Sequence, residues 1–207
     1  MITYSIMAVC VIMSIMAMND PAKFRKWELH PYTVMRNKEY YRILTHAFIH
    51  AGWGHLFINM FVFWQFGTAV ENSFLSLFGT AGYVYYAVLY IGAIAVAALP
   101  ALKKHHDNFQ YRSVGASGAV AAVLFSYIVL YPLRELYFFA VLPIPAIILG
   151  VLYLFYESRM ENADDHIAHD AHFKGAVFGA VATVLFKPSL ALDFFREIWT
   201  GITGLLG

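Results

Sequence analysis

Four polar side chains stand near the starts of three separate apolar stretches of the chain: His55 and Asn59, then Ser117, then His172. A serine paired with a histidine base can hydrolyse acyl bonds through a covalent intermediate. A further histidine and an asparagine can donate hydrogen bonds to the oxyanion formed on the way. Because polar groups are costly inside apolar segments, they are usually kept there for function. The pattern predicts a hydrolytic site inside a membrane protein.

The composition supports a membrane location. Of the 207 residues, 60% are hydrophobic and 13% are charged, and the mean hydropathy is +0.61. A soluble globule of this size needs more polar side chains than these to cover its surface. The net charge of +1 and the scattered Lys and Arg residues give no indication of a nucleic-acid partner. The single cysteine, Cys10, excludes an intrachain disulfide and leaves the redox compartment open.

Six apolar stretches are long enough, or nearly so, to cross the roughly 30 Å of hydrocarbon that about 20 helical residues span. They cover residues 1–18, 55–71, 78–99, 115–132, 136–156 and 171–186. Charged or turn-forming residues mark their ends, among them Glu71, Pro100, Pro132 and Glu157. We therefore predict an all-α fold, a six-transmembrane-helix bundle over residues 1–186. The first stretch is interpreted as a retained anchor, because it lacks the basic start and the cleavage site of a secretory signal.

Residues 187–207 form a segment of a different kind. Apolar residues recur there at every fourth position: Leu190, Phe194, Ile198 and Ile202. Charged residues occupy the other faces of the same helical projection. The pattern predicts an amphipathic helix lying along the membrane surface, and a partly disordered tail is the alternative.

The order of the six stretches predicts where the polar side chains meet. Helices two, four and six of such a bundle cross the membrane in the same direction, so their N-terminal ends lie at one face. Ser117 and His172 would then reach a common depth although they are distant in the sequence. Small residues would let the two helices approach closely: Gly115, Gly118 and Ala122 in one, Gly175 and Gly179 in the other. Such stripes more often serve packing alone.

Three blocks of sequence follow one another in a defined order. They are the series His46, His50, His55 and Asn59, the tetrapeptide Gly115-Ala116-Ser117-Gly118, and the pair Ala171-His172 followed by Gly175 and Gly179. Together they resemble the bacterial type of the rhomboid family of intramembrane serine proteases. The resemblance covers the chain between residues 40 and 186. It implies a rhomboid-type bundle with a structured loop between the first two helices.

The resemblance also implies a role for each matching residue. Ser117 would be the nucleophile and His172 its general base, a dyad without a third acid. His55 and Asn59 would donate to the oxyanion, together with backbone N–H groups near Ala116 and Ser117. The spacing agrees, because residues four apart share one face of a helix. Unpaired N–H groups at a helix N-terminus also favour developing negative charge.

Other histidines leave an alternative open. The spacing of His46, His50 and His55 also suits a zinc-dependent hydrolase, although the His-Glu-x-x-His pattern and a cysteine ligand are absent from the sequence. In the family, His46 and His50 help to order the loop before the second helix, as does the arginine corresponding to Arg42. We expect no metal and no cofactor.

The residues around His172 raise the same question about metal binding. We interpret His166, His169 and Asp170 as parts of a solvated polar loop, and Asp170 as pointing away from His172. The family's bacterial members often place a tyrosine against the catalytic histidine, four residues after the serine, where this chain has Ala121. Either some other group holds His172 in place, or the ring is held less firmly.

We predict that the protein is an intramembrane endopeptidase. It would cleave a peptide bond in or next to a transmembrane segment of a single-pass membrane protein in the lipid bilayer. One alternative is a proteolytically inactive rhomboid-like protein that binds transmembrane segments. A small transporter is another, but paired intramembrane carboxylates are missing and Glu71 stands alone. The family implies a bacterial inner membrane with the site facing outward, whereas the Lys and Arg distribution favours a cytoplasmic site.

Overall fold

The computed structural model describes residues 1–138, 141–161 and 167–206, and the described chain is mostly helical. The helices are α1 Ile2–Met18, α2 Pro21–Trp27, α3 Pro31–Asn37, α4 Arg42–Thr45, α5 Trp53–Phe78, α6 Gly82–Lys104, α7 Ser117–Leu130, α8 Ala146–Met160, α9 His169–Phe186 and α10 Ser189–Leu206. Short 3-10 turns occupy His46–Phe48 and Gly79–Ala81, and two strands, β1 Glu135–Phe138 and β2 Leu142–Pro145, form a hairpin.

Apolar helices of membrane-spanning character are concentrated in two parts of the chain. The helical stretch Trp53–Lys104 is long and apolar enough to cross a membrane. His169–Phe186 and Ser189–Gly204 meet the same criterion only as a pair, and they are bent by 112° at the break between them. The helices Ile2–Met18 and Ser117–Leu130 are apolar but shorter.

Helix α7 lies at the centre of the bundle, where it packs most extensively on α9 and also contacts α5 and α6. Its buried surface consists mainly of small residues: Gly118, Ala119, Val120, Ala121, Ala122 and Val123. Large buried aromatic rings from α5 and α6 fill the surrounding core, among them Phe63, Phe74, Tyr86 and Tyr90. Small side chains on α7 let its neighbours approach closely, so the residue at its N-terminus is held from several sides.

The stretch 136–156 is not a single helix. Strand β1 pairs antiparallel with β2, with Glu135 opposite Pro145, and α8 begins only at Ala146. Pro143 and Pro145 explain the difference, because a proline inside a helix removes a backbone hydrogen bond and clashes with the preceding turn. The all-α prediction is therefore incomplete, because it does not include this hairpin.

Two helices continue through residues that the sequence suggested as their ends. Helix α6 runs through Pro100 to Lys104, and α5 runs through Glu71 to Phe78. Glu71 is fully buried, and its carboxylate accepts hydrogen bonds from the backbone N–H groups of Ile2 at 2.6 Å and Thr3 at 2.9 Å. The partly positive N-terminus of α1 thus compensates the charge within the bundle. Glu71 is a structural cap and does not mark a helix end.

Residues 19–52 carry three short helices tied together by one arginine. The side chain of Arg42 is buried and donates to the carbonyl oxygens of Arg25 at 2.6 Å and Glu28 at 3.0 Å. It also pairs with Glu39 at 2.7 Å. Since the planar guanidinium can reach all three groups at once, it fixes the loop that precedes α5.

The C-terminal segment is helical over Ser189–Leu206. Leu190 is buried on the bundle side, and Phe194 and Ile198 are half-buried. A second apolar face, formed by Leu192, Phe195 and Trp199, is exposed. The helix therefore has apolar side chains both toward the bundle and away from it.

Candidate active site

Ser117 and His172 are in direct contact. Ser117 is the first residue of α7, and His172 lies in the first turn of α9. The Nε2 atom of His172 is 2.7 Å from the Oγ atom of Ser117. A hydrogen bond of this length lets an imidazole remove the proton of a serine hydroxyl.

Glycines make this contact possible by bringing two backbones together. A Cβ atom at Gly175 would overlap the carbonyl oxygen of Gly118 and lie 2.8 Å from its carbonyl carbon. A Cβ atom at Gly179 would overlap the carbonyl group of Ala122 in the same way, one turn further along the helices. Helices α7 and α9 therefore touch through their main chains, and only glycine fits at these two positions of α9.

A buried hydrogen bond fixes the two helices further along. The hydroxyl group of Thr183 in α9 lies 2.7 Å from that of Ser126 in α7, and 2.8 Å from the carbonyl oxygen of Gly179. Because both hydroxyl groups are fully buried, sliding of one helix along the other would break the bond between them and deprive the Ser126 hydroxyl of this partner. Sequence reasoning missed this pair, since isolated Ser and Thr residues in apolar helices give no specific signal.

The segment leading into α7 is held by the loop between α1 and α5. Leu29 and Ser113 exchange backbone hydrogen bonds of 2.9 and 3.0 Å, and Arg112 pairs with Glu28 at 2.7 Å. Further along, the N–H group of Gly115 donates to the carbonyl oxygen of His46 at 2.9 Å. Ser117 therefore follows a segment whose backbone is fixed at several successive positions.

His55 lies directly over the turn that precedes Ser117. Gly115 has a φ of +123°, and a Cβ atom there would lie 2.6 Å from the Cε1 atom of His55. Both the backbone conformation and the closeness of the ring require glycine. Asn59, one turn along α5, donates through Nδ2 to the carbonyl oxygen of His55 at 2.9 Å. The amide of Asn59 carries a second N–H donor as well.

One cavity brings together the polar side chains from the starts of α5, α7 and α9. It has a volume of about 1080 Å³, and its walls include Ser117, His172, His55 and Asn59. Apolar side chains such as Leu124 form another part of the wall. The cavity therefore combines a nucleophile, a base and hydrogen-bond donors with a partly apolar surface.

Comparison with known proteins shows the family of the chain. A family model for the rhomboid domain matches residues 37–189. The chain belongs to the rhomboid family. RHOMBOID-like protein 12, mitochondrial, of Arabidopsis thaliana is 31% identical to this rhomboid over an alignment of 151 residues. The match covers 68% of this chain and 44% of the relative. The chain thus spans less than half the length of that relative. Family membership makes this rhomboid a membrane protein, but a mitochondrial relative gives no support to a bacterial membrane.

The backbone N–H of Ala116, which the family resemblance assigns to the oxyanion site, has a partner in this rhomboid. It donates to the Nε2 atom of His50 at 3.4 Å. The Nδ1 atom of His50 lies 3.0 Å from the hydroxyl of Ser14, which in turn donates to the carbonyl oxygen of Phe48 at 3.4 Å. With Nε2 accepting, Nδ1 carries the proton, and the network links α1 to the turn before Ser117.

Neutral histidines in this loop make the stability of the fold depend on pH. Burial lowers the pKa of His50 to about 3 and that of His46 to about 4. Below pH 6.5, the ordinary value for histidine, the unfolded chain therefore binds more protons than the folded chain. The stabilisation from these rings is complete above pH 6.5 and is lost as the pH falls toward 4 and then 3. Each ring contributes a slope of up to about 1.4 kcal/mol per pH unit.

We expect His50→Gln to reduce this pH dependence. The measurement is the thermal unfolding midpoint of the detergent-solubilised protein between pH 4.5 and 7.5 (about 1 to 2 units on either side of the ordinary histidine pKa). On acidification, the unfolding midpoint of the variant should fall by fewer degrees than the midpoint of wild type. His106→Gln is the matched control, because the side chain of His106 is 52% exposed. Equal slopes in wild type and His50→Gln would contradict a neutral, buried His50.

The zinc alternative finds no support at His46, His50 and His55. The Nδ1 atom of His46 donates to the carbonyl oxygen of Arg42 at 3.0 Å, and both ring nitrogens of His50 have partners. Within residues 1–138, 141–161 and 167–206, three potential ligands come together only at Glu157, His169 and His172.

The outcome differs among the three residues that were assigned to a solvated loop near the start of α9. Asp170 lies 3.3 Å from the Nζ atom of Lys104 and accepts from the N–H of Ala171 at 2.8 Å. Its carboxylate is thus turned away from His172, as expected. His166 lies outside the described residues. His169 is buried and is not part of a solvated loop, which corrects its assignment.

A carboxylate adjoins His172, contrary to the expectation of a dyad without a third acid. The Oε1 atom of Glu157, in the last turn of α8, is 3.2 Å from the Nδ1 atom of His172. Its other oxygen, Oε2, is 2.6 Å from the Nδ1 atom of His169. Sequence reasoning assigned Glu157 only to a helix boundary, because its distance from His172 depends on how α8 and α9 pack.

Proposed function

We propose that this rhomboid is an intramembrane serine endopeptidase that hydrolyses a peptide bond in or next to a transmembrane segment. The observation that carries the proposal is the 2.7 Å separation between Nε2 of His172 and Oγ of Ser117, inside a cavity walled by apolar helices. Membership of the rhomboid family supports the same activity.

The reaction proceeds through an acyl-enzyme. Ser117 Oγ bonds to the substrate carbonyl carbon while its proton moves to Nε2 of His172. The C–N bond then breaks as that proton passes to the leaving amine. Water next attacks the ester, giving one proton to His172 while its oxygen bonds to the acyl carbon. The acid product departs when the ester C–O bond breaks and Oγ takes the proton back.

The oxyanion of each tetrahedral intermediate needs donors in a dry site. His55 and Asn59 supply side-chain donors, and the backbone N–H of Ser117 at the start of α7 adds a third. A donor of this kind is worth about 3 to 4 kcal/mol in the transition state. The N–H of Ala116 is left out of this set because it donates to His50.

For the membrane arrangement, we propose six spans: α1, α5, α6, α7, α8 and α9. Helix α7 has 14 residues and is therefore about 21 Å long, shorter than the roughly 30 Å of hydrocarbon. This length supports a start of α7 below the membrane surface, with Ser117 at depth. We assign residues 1–186 to the membrane domain and the segment 187–207, which contains α10, to the membrane surface. The outward-facing orientation is proposed from the family resemblance alone. Substrates are transmembrane segments of single-pass membrane proteins.

The proposal is tested with two probes on wild-type protein reconstituted in lipid vesicles. A fluorophosphonate should modify a single residue, and peptide mapping should identify it as Ser117. A reporter with a transmembrane segment containing Gly, Ala and Ser residues near one end, tagged at both termini, should be cut into two fragments. Ser113→Ala serves as a control that removes a nearby hydroxyl four residues before Ser117 and should change neither result. Absence of both labelling and cleavage would overturn the proposal in favour of a binding protein without protease activity.

A further inference from the structure

We propose that Glu157 is a positioning residue of the active site, a third group that sets the tautomer and the orientation of His172. This inference rests on the proposed protease function and adds a carboxylate to the serine and histidine. The geometry that carries it is one carboxylate shared between two imidazole rings, with one oxygen on each Nδ1 atom.

The burial of these groups shows that the carboxylate is held in place. Glu157 is 4% exposed and His169 is 2% exposed. A buried carboxylate is tolerated only when it is paired and hydrogen-bonded. The 2.6 Å contact with His169 fixes Oε2, which leaves Oε1 directed at His172, 3.2 Å away. His169 thus anchors the carboxylate, and the carboxylate orients the base.

The position of Glu157 within α8 is unfavourable without these partners. It lies three residues before Met160, the last residue of the helix, where the carbonyl ends of the backbone carry partial negative charge. A carboxylate there is repelled by its own helix. The Nδ1 atoms of the two histidines in the first turn of α9 donate hydrogen bonds to this carboxylate and stabilise it there.

The contact determines which nitrogen of His172 can act as a base. A carboxylate accepts hydrogen bonds and cannot donate them, so the proton of neutral His172 must be on Nδ1. Nε2 then carries a lone pair and faces the hydroxyl of Ser117 at 2.7 Å. With the proton on Nε2, the ring could only donate to Ser117 and could not remove its proton. Once Nε2 takes the serine proton, the same carboxylate stabilises the charged ring.

This restraint also answers a question raised by the sequence. Ala121 stands where the family resemblance leads one to expect a tyrosine stacked on the histidine, and a methyl group cannot replace a ring. Glu157 holds His172 from its Nδ1 edge instead. The hydrogen bond between Nδ1 of His172 and Glu157 thus takes the place of a stacking contact with tyrosine.

The distances favour hydrogen bonds over a metal ion at this cluster. Two zinc ligands at about 2.0 to 2.1 Å from the metal in tetrahedral geometry are about 3.3 Å apart. Oε2 of Glu157 and Nδ1 of His169 are separated by 2.6 Å, which is the length of a strong hydrogen bond. Removal of metals with EDTA should therefore leave serine labelling unchanged.

The test measures the rate constant of fluorophosphonate labelling against pH for wild type, Glu157→Gln and Glu157→Asp. Glu157→Gln should lower the rate by about 10- to 100-fold, the effect of losing one charge-assisted hydrogen bond. Glu157→Asp keeps a carboxylate that can accept from Nδ1 of His172 and should recover most of the lost rate. Glu161→Gln, one turn further along and paired with Lys104 at 2.6 Å, is the matched control and should behave as wild type.

The outcomes separate this inference from the proposed function. If wild type is not labelled, the protease proposal fails. If wild type is labelled and Glu157→Gln keeps the wild-type rate, the role of Glu157 is overturned while the protease proposal stands. If Glu157→Gln does not fold, nitrogen NMR of the wild-type imidazoles decides the question. Neutral His172 with its proton on Nδ1 supports the inference, and a proton on Nε2 overturns it.

Discussion

His172→Ala is expected to lower the rate of fluorophosphonate labelling of Ser117 by about 10⁴-fold or more. The hydroxyl of a free serine is a weak nucleophile, and the Nε2 atom at 2.7 Å is the base that activates it. Cleavage of the reporter segment should fall to the level of Ser117→Ala, which lacks the nucleophile. The double variant should be no less active than either single variant, because the two residues act as a unit.

A second histidine variant separates this effect from a general loss of structure. His106→Ala removes an imidazole from the turn after α6, where its side chain is 52% exposed, and should leave labelling unchanged. Thermal unfolding midpoints should be similar for both histidine variants. Labelling of His172→Ala within tenfold of wild type would mean that another group activates Ser117.

The meeting of Ser117 and His172 is the part of the site that the sequence predicts best. The depth of a residue in a helical bundle follows from where it stands in its own apolar stretch, and such stretches are visible in the composition. The close approach at the glycines of α9 could also be predicted from the sequence, because only a residue without a side chain lets two backbones touch. Gly175 and Gly179 do contact α7 in this way, although small residues alone indicate only packing.

Glu157 could not be placed from the sequence for a physical reason. A carboxylate at the end of an apolar stretch is the ordinary sign of a helix leaving the membrane, and Glu157 does lie in the last turn of α8. What makes it part of the site is the packing of α8 on α9, which brings it onto His169 and His172. Glu71 was misread by the same rule, since its partners come from the start of α1.

The hairpin and the N–H of Ala116 illustrate two further limits. Pro143 and Pro145 were visible in the sequence and could have separated the hairpin from α8, but the apolar composition of the stretch outweighed them. The N–H of Ala116 is different, because no sequence pattern indicates that His50 accepts it. Whether a backbone donor is free for an oxyanion depends on all its neighbours, and these become known only from the fold.

Gly175→Ala is expected to damage both activity and stability through one added methyl group. Its Cβ atom would overlap the carbonyl oxygen of Gly118, which is backbone and cannot rotate away, so α7 and α9 must move apart. A displacement of about 1 Å between a base and its nucleophile costs on the order of 10²-fold in rate. The strain should lower the free energy of unfolding by about 1 to 3 kcal/mol.

The measurements are fluorophosphonate labelling and thermal unfolding of Gly175→Ala beside Gly54→Ala. The control makes the same chemical change in the first turn of α5, where a Cβ atom has nothing within 4 Å, so it should retain wild-type labelling and stability. Wild-type labelling together with wild-type stability in Gly175→Ala would show that the helices are not in backbone contact near His172. A loss of stability with full labelling would show that the glycine serves packing alone. Loss of both is the result that links the glycine contact to the distance between Ser117 and His172.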